Sequence, residues 1–127
     1  MEVETTADSG DGHEGHELAQ LSNAMVRLYK DQFGRGPTKA RSVYAGRDAV
    51  LCTLEQTFTP AEVALVRMGE HQRLRDTRMF FQYATEDEFI ETVERITGRK
   101  VRAFVSGIDV GHDVSSELFY FEPSPEG

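Results

Sequence analysis

The sequence predicts an α+β fold in which a four-stranded, mainly antiparallel sheet has helices packed on one face. Two observations carry this prediction. Apolar residues recur at helical spacing in the first and middle parts of the chain. After each part come two segments in which apolar and polar residues alternate, and a glycine-containing turn joins the two segments. The predicted order is therefore helix, β-hairpin, helices, β-hairpin. Because each hairpin must bury its apolar side, both are expected to share one sheet beneath the helices.

The chain begins with an acidic segment of mostly small and polar residues, Met1 to Gly15. This segment offers too little apolar surface to offset the entropy that its ordering would cost. We therefore predict a disordered acidic tail over residues 1–15, one domain over residues 16–123 and a flexible C-terminus over residues 124–127.

A first amphipathic helix is predicted from about His16. Its apolar residues recur at helical spacing, and they are Leu18, Leu21, Met25, Leu28 and Phe33. Gly34 is expected to end the helix because glycine tolerates the left-handed conformation of a helix C-terminus. Gly36 and Pro37 then prevent the helix from resuming, so Arg35 to Thr38 is predicted to be a loop.

The first hairpin is predicted from two β-type segments, Lys39 to Ala45 and Ala49 to Phe58, which Gly46 to Asp48 separate. One face of the second segment is apolar and consists of Val50, Cys52, Leu54 and Phe58. This alternation is typical of a sheet that is covered on one side. Cys52 is therefore expected in the core, as a structural thiol.

The middle of the chain is predicted to be helical. Thr59-Pro60-Ala61-Glu62 combines a threonine N-cap, a proline at the first helical position and a capping-box glutamate, so a short helix should run to about Met68. A second helical pattern follows Gly69, and Thr85 to Glu88 offers another capping box. An apolar stripe after Thr85 ends at Gly98. A break at Thr85 and a continuous helix are both compatible with this pattern.

The last hairpin is predicted from Lys100 to Ile108 and Ser116 to Glu122, with a turn at Gly111-His112-Asp113. Pro123 then ends the fold. With 127 residues, the chain is long enough for one hydrophobic core.

Composition excludes several classes of function. A formal net charge of −8 disfavours nucleic acid and anionic lipid as partners, since both require a basic surface. A single cysteine, Cys52, permits no internal disulfide and fits a reducing compartment. The sequence shows neither a transmembrane run nor a secretory signal. We therefore expect a soluble bacterial protein of the cytoplasm without direct membrane insertion.

The residues that could carry catalysis or bind a metal form no convincing constellation. His13 lies in the acidic segment and His16 directly follows it, and both are interpreted as solvated. Asp109, His112 and Asp113 are interpreted as a polar β-turn. We predict no catalytic residue, no metal site and no cofactor.

Two basic features remain as candidates for binding. Arg35 and Gly36 could present a guanidinium and backbone amides to an anion or a partner carboxylate, or they could simply end the helix. A basic stretch consists of Arg67, Arg73, Arg75 and Arg78, which we interpret as a solvated helix face. Arg35 and Gly36 are the candidate contact residues.

Several motifs together resemble the MpsC-like family, long catalogued as a domain of unknown function. They are Gly34-Arg35-Gly36-Pro37, Phe58-Thr59-Pro60-Ala61-Glu62, Ile96-Thr97-Gly98-Arg99-Lys100-Val101 and Ile108-Asp109. The resemblance runs from about Leu18 to Pro123. It implies association with a Na+-translocating, membrane-potential-generating system, and related membrane components are linked to inorganic-carbon uptake. It carries no catalytic or ligand residue over to this chain.

On this resemblance we expect a noncatalytic accessory or regulatory protein, held at the inner membrane by integral-membrane transporter subunits. Two alternatives stay open. One is a cytoplasmic anion or small-molecule sensor that uses the Arg35 loop, and the other is an enzyme whose site forms across a dimer interface.

A homodimer is also expected from the sequence. The segment from Met79 to Ile96 holds more large apolar side chains than a small sheet can cover, and exposed aromatic surface commonly marks an interface. Met79, Phe80, Phe81 and Tyr83 point in several directions around a helix. The alternative is a bend near Thr85 that turns these aromatics into the core.

Overall fold

The computed structural model describes residues 4–7 and 12–123. Within them the helices and strands follow one another along the chain in this order: β1 (Glu4–Ala7), α1 (Gly12–Phe33), β2 (Lys39–Tyr44), β3 (Ala49–Glu55), α2 (Pro60–Arg67), α3 (His71–Ala84), α4 (Glu86–Thr97), β4 (Val101–Asp109) and β5 (Val114–Phe121). The order of helix, hairpin, helices and hairpin matches the prediction.

The strands form one sheet in the order β1-β2-β3-β5-β4. Strands β2 to β5 pair antiparallel, which confirms the predicted four-stranded sheet and the α+β class. β1 pairs parallel with β2 and adds a short edge strand that the sequence did not suggest.

The structure describes two stretches of the segment that was predicted to be a disordered tail, residues 1–15. Glu4–Ala7 forms β1, whose backbone groups gain partners on β2, and α1 already begins at Gly12. Residues 1–3 and 8–11 of that predicted tail, and 124–127 of the predicted C-terminus, lie outside the described residues.

Two predicted helix signals are confirmed. Gly34 has φ of +79° and donates its N–H to the carbonyl of Lys30 at 2.9 Å, so the glycine ends α1 in the left-handed region. The Thr59 hydroxyl accepts from the Glu62 N–H, and the Glu62 carboxylate accepts from the Thr59 N–H. This complete capping box fixes the start of α2.

The second predicted capping box does not form. The Thr85 hydroxyl donates to the carbonyl of Phe81 at 2.9 Å, so it satisfies the end of α3 and does not cap the start of α4. The helical region is nevertheless interrupted at this residue, since α3 ends at Ala84 and α4 begins at Glu86.

The helices cover one face of the sheet. The main hydrophobic cluster joins α1 and α4 to alternate residues of the strands, among them Val50, Cys52, Leu54, Phe119 and Phe121. A second cluster joins α2 and α3 to Ile108 on β4 and to Phe58 and Val110. The strand residues that alternate with these core residues point to the opposite side of the sheet. We call their side of the sheet the open face.

Candidate functional site

Helix α3 exposes a group of large apolar side chains on its outer side. Met79 is 37% exposed, Phe80 69% and Tyr83 82%. Spacings of three and four residues place Phe80 and Met79 beside Tyr83 on the helix surface. We call these three residues the α3 patch. Exposed neighbouring apolar groups of this size are typical of a surface that contacts another molecule.

The inner side of α3 is unusual because two of its three buried residues are polar: Leu74, Arg78 and Gln82. These residues are spaced by four, so they form one stripe that faces the core. The helix is therefore held to the domain by polar contacts, while four of its large apolar side chains are exposed: the α3 patch and Phe81. Because the polar side of α3 faces the core, Phe80 and Tyr83 remain exposed although the helical region is interrupted at Thr85.

Arg78 makes the first of these contacts. Its Nε donates to Glu62 Oε2 at 2.6 Å, and its Nη2 donates to Glu62 Oε1 at 2.7 Å and to the carbonyl of Thr57 at 3.0 Å. Its guanidinium carbon lies 3.7 Å from the centre of the Phe33 ring. Burial raises the pKa of Glu62, but the hydrogen bonds from Arg78 and Thr59 and the charge of Arg78 together outweigh burial, so the net pKa is lowered. The pair is therefore ionised, and it joins α3 to the start of α2.

Gln82 makes the second contact, at a carboxyl group in the core. Glu117 on β5 is fully buried, and its Oε1 accepts from the hydroxyl of Tyr29 at 2.5 Å, from Gln82 Nε2 at 2.7 Å and from the hydroxyl of Ser106 at 3.0 Å. Gln82 Nε2 also donates to the Tyr29 hydroxyl at 3.1 Å. This cluster joins α1, α3, β4 and β5, and we call it the Glu117 cluster.

Glu117 is held in its neutral form. Burial raises its pKa to about 8, against which the hydrogen bonds of Tyr29 and Ser106 act in the opposite direction. Three donors converge on Oε1, whereas Oε2 has no hydrogen-bond partner among the described residues. The three donors thus leave Oε2 as the oxygen that is available to a proton.

Polar groups continue from Glu117 across the core side of the sheet. Glu117 lies opposite Cys52, and Cys52 lies opposite Ser42. The Ser42 hydroxyl donates to Cys52 Sγ at 3.3 Å and lies 2.8 Å from the Ser22 hydroxyl of α1. Burial raises the pKa of Cys52 to about 12, so the thiol stays protonated. The prediction of a buried structural cysteine agrees with this geometry.

The predicted contact residues, Arg35 and Gly36, lie in the loop after α1, away from the Glu117 cluster. Arg35 is half-buried, and its Nε donates to the carbonyl of Gln56 at 3.4 Å. A Cβ on Gly36 would come 3.3 Å from the carbonyl oxygen of Val26, so glycine allows the loop to pack closely on α1. The loop is thus attached to the end of β3 and does not join the Glu117 cluster.

Among the described residues, no three or more histidine, cysteine, aspartate or glutamate side chains lie together in a way that could hold a metal ion. His16 is exposed on α1, and His112 Nδ1 lies 3.1 Å from Asp109 Oδ1 on the surface. This hydrogen bond lowers the pKa of Asp109. Asp113 instead accepts from the Thr57 and Phe58 N–H groups at 2.8 and 3.0 Å. The turn is therefore tied to the segment before α2.

The interpretation of Arg78 as part of a solvated face is corrected, because its side chain is only 3% exposed. Its spacing of four residues from Leu74 was the signal that could have placed it inward. Glu117 was also missed. It alternates with Ser115 and Phe119 on β5, and this alternation would have placed a carboxyl group on the core face.

Comparison with known proteins identifies one family. Residues 14–123 match the family described as "Na+-translocating membrane potential-generating system (MpsC)". No curated protein and no solved structure matches the chain. None of the helices in residues 12–123 has the length and apolar content needed to cross a membrane.

Proposed function

The chain belongs to the MpsC family, and on this premise we propose that it is a noncatalytic accessory component of a Na+-translocating, membrane potential-generating system. In this proposal the protein lies in the cytoplasm and contacts an integral-membrane subunit of the system through the α3 patch. A link of that system to inorganic-carbon uptake is part of the same proposal.

The observation that carries this proposal is the exposure of Phe80 and Tyr83 on a helix whose inner side is anchored by Arg78 and Gln82. The anchors fix the helix in place, so the patch is presented as a rigid surface, and rigid aromatic side chains lose little entropy on binding. An aromatic patch on a fixed helix suits a protein partner that offers apolar surface.

The accessory role is supported by the positions of the two groups best suited to chemistry. Glu117 and Cys52 are both fully buried beneath the helices, and a group without access to solvent cannot reach a substrate in this conformation. Glu117 and Cys52 are therefore part of the core, whereas the α3 patch is exposed and can contact a partner.

The double variant Phe80→Glu, Tyr83→Glu is expected to lose the membrane partner. Tagged full-length chain would be used to capture proteins from detergent-solubilised native membranes, with mass spectrometry as the readout. The wild type should recover an integral-membrane subunit of the sodium system, and the double variant should recover at least tenfold less, since two buried charges would oppose the contact.

Met68→Glu is the matched control, because Met68 is 73% exposed but lies at the end of α2, outside the α3 patch. It should recover the same subunit as the wild type. Equal recovery by all three proteins, or recovery of no subunit of a sodium system by the wild type, would contradict the proposal.

A further inference from the structure

The open face of the sheet carries a continuous row of apolar side chains. Val43 lies opposite Leu51, Leu51 opposite Leu118, and Leu118 opposite Val105, so the row crosses all four antiparallel strands. None of the four belongs to either hydrophobic cluster, and Val105 is 55% exposed. We call these residues the apolar row.

The rows on either side of the apolar row differ in size. On one side, Ser116 on β5 lies opposite Gly107 on β4, so the surface there is low. On the other side, Tyr120 on β5 lies opposite Ala103 and is 37% exposed, so a large aromatic side chain adds bulk to the surface there. The open face thus has a depression and a projection at equal distances from the apolar row, since both lie two residues from it.

On β4, residues of opposite charge lie on the two sides of the apolar row. Asp109 lies beyond the depression, four residues from Val105, and it is exposed. Arg102 lies beyond the apolar row in the opposite direction, and its guanidinium is 5.6 Å from the centre of the Tyr120 ring. Along β4, an acidic residue and a basic residue therefore lie on opposite sides of the apolar row.

We propose that the open face binds a second copy of this chain, face to face, about a twofold axis that runs along the apolar row. This rotation places each apolar row on the partner's apolar row and each Tyr120 over the partner's depression at Ser116 and Gly107. It also brings Arg102 of each copy towards Asp109 of the other. One surface thus supplies both halves of every contact, which is the requirement of a twofold dimer.

The size of the open face indicates how tightly two copies of the chain are expected to bind. Four strands about 4.8 Å apart and six to nine residues long give a face of roughly 19 by 25 Å. This area, roughly 500 Å² on each partner, is smaller than the standard interface of about 800 Å² on each partner and is typical of weak, transient contacts. The dimer is therefore expected to dissociate in the micromolar range.

The test is sedimentation equilibrium of the full chain between about 1 and 100 µM, a range chosen around the expected dissociation constant. The wild type should form a reversible dimer, and Val105→Glu should be monomeric, because its charge would be buried in the apolar contact. Phe80→Glu, in the α3 patch, should dimerise like the wild type. Circular dichroism would confirm that each variant is folded.

Charge reversal separates this geometry from other apolar contacts. Arg102→Asp and Asp109→Arg should each weaken self-association by about tenfold, since each variant places like charges together twice in the dimer. An equimolar mixture of the two variants should restore dimers, because both contacts then join opposite charges. Both positions are exposed, but Asp109 accepts from the His112 N–H and Arg102 donates to the carbonyl of Phe121, so circular dichroism and urea unfolding are needed to show that each variant folds like the wild type.

Three results would overturn the proposal. The wild type could be a monomer throughout the range, the mixture of charge-reversed variants could remain as weak as each variant alone, or Phe80→Glu could dissociate a dimer that Val105→Glu leaves intact. The last result would place the self-association on the α3 patch. The proposal does not depend on the membrane partner, so it can fail without affecting the proposed function.

Discussion

Arg78→Met is expected to lower the free energy of unfolding by about 3 kcal/mol. Methionine fills a similar volume but removes the donors to Glu62 and to the carbonyl of Thr57, so a partly buried carboxylate loses its charge partner. Glu62 is 17% exposed and can regain some water. The expected loss therefore lies at the low end for a broken buried pair. Urea unfolding of both proteins at neutral pH measures it.

Arg73→Met is the matched control on the same helix. Arg73 is 70% exposed and lies 3.7 Å from Glu70, so its loss should change the free energy of unfolding by no more than about 0.5 kcal/mol. Arg78→Lys should fall between the two, because lysine keeps the charge but cannot make the paired contact with both oxygens of Glu62. Equal stability of the Arg78→Met and Arg73→Met proteins would show that the buried pair does not hold α3.

Glu117→Gln is expected to remove a pH dependence of stability. In the folded protein, burial raises the pKa of Glu117 to about 8, above its ordinary value of 4.5. Between these values the folded chain keeps a proton that the unfolded chain has released, so the contribution of Glu117 is complete below pH 4.5 and is lost as the pH rises to about 8. The slope approaches about 1.4 kcal/mol per pH unit.

Glutamine reproduces the neutral carboxyl group without titrating. The difference in free energy of unfolding between Glu117→Gln and wild type should therefore shift in favour of the variant by roughly 3 kcal/mol between pH 5 and pH 8. Comparing the two proteins at each pH cancels the other carboxyl groups. A constant difference across this range would mean that Glu117 is ionised in the folded protein.

Most of the fold was predictable because local signals agreed with it. The capping box at Thr59, the glycine after α1 and the alternation around Cys52 each specify structure within a few residues, and all three appear as expected. The strand Glu4–Ala7 could not be predicted in this way. Its partner strand, β2, lies more than thirty residues away in sequence, and the residues of β1 themselves show no apolar pattern.

The candidate site was less predictable, because its polar residues are placed by tertiary contacts. Arg78 and Glu117 are charged types that usually face water, and only their partners Glu62, Tyr29 and Gln82 make their burial tolerable. Those partners are separated from them by 16 to 88 residues in sequence. In contrast, the surplus of aromatics on α3 was visible in the sequence, and the exposure of Phe80 and Tyr83 agrees with that expectation.

The most direct test of the proposed function is the Na+-dependent membrane potential of cells that lack this chain, measured with a potential-sensitive dye. Wild type and Met68→Glu, expressed at equal levels, should restore the potential that the deletion lowers, and Phe80→Glu, Tyr83→Glu should not. A deletion that leaves the Na+-dependent potential unchanged, or a double variant that restores it fully, would contradict the role of the α3 patch in a membrane potential-generating system.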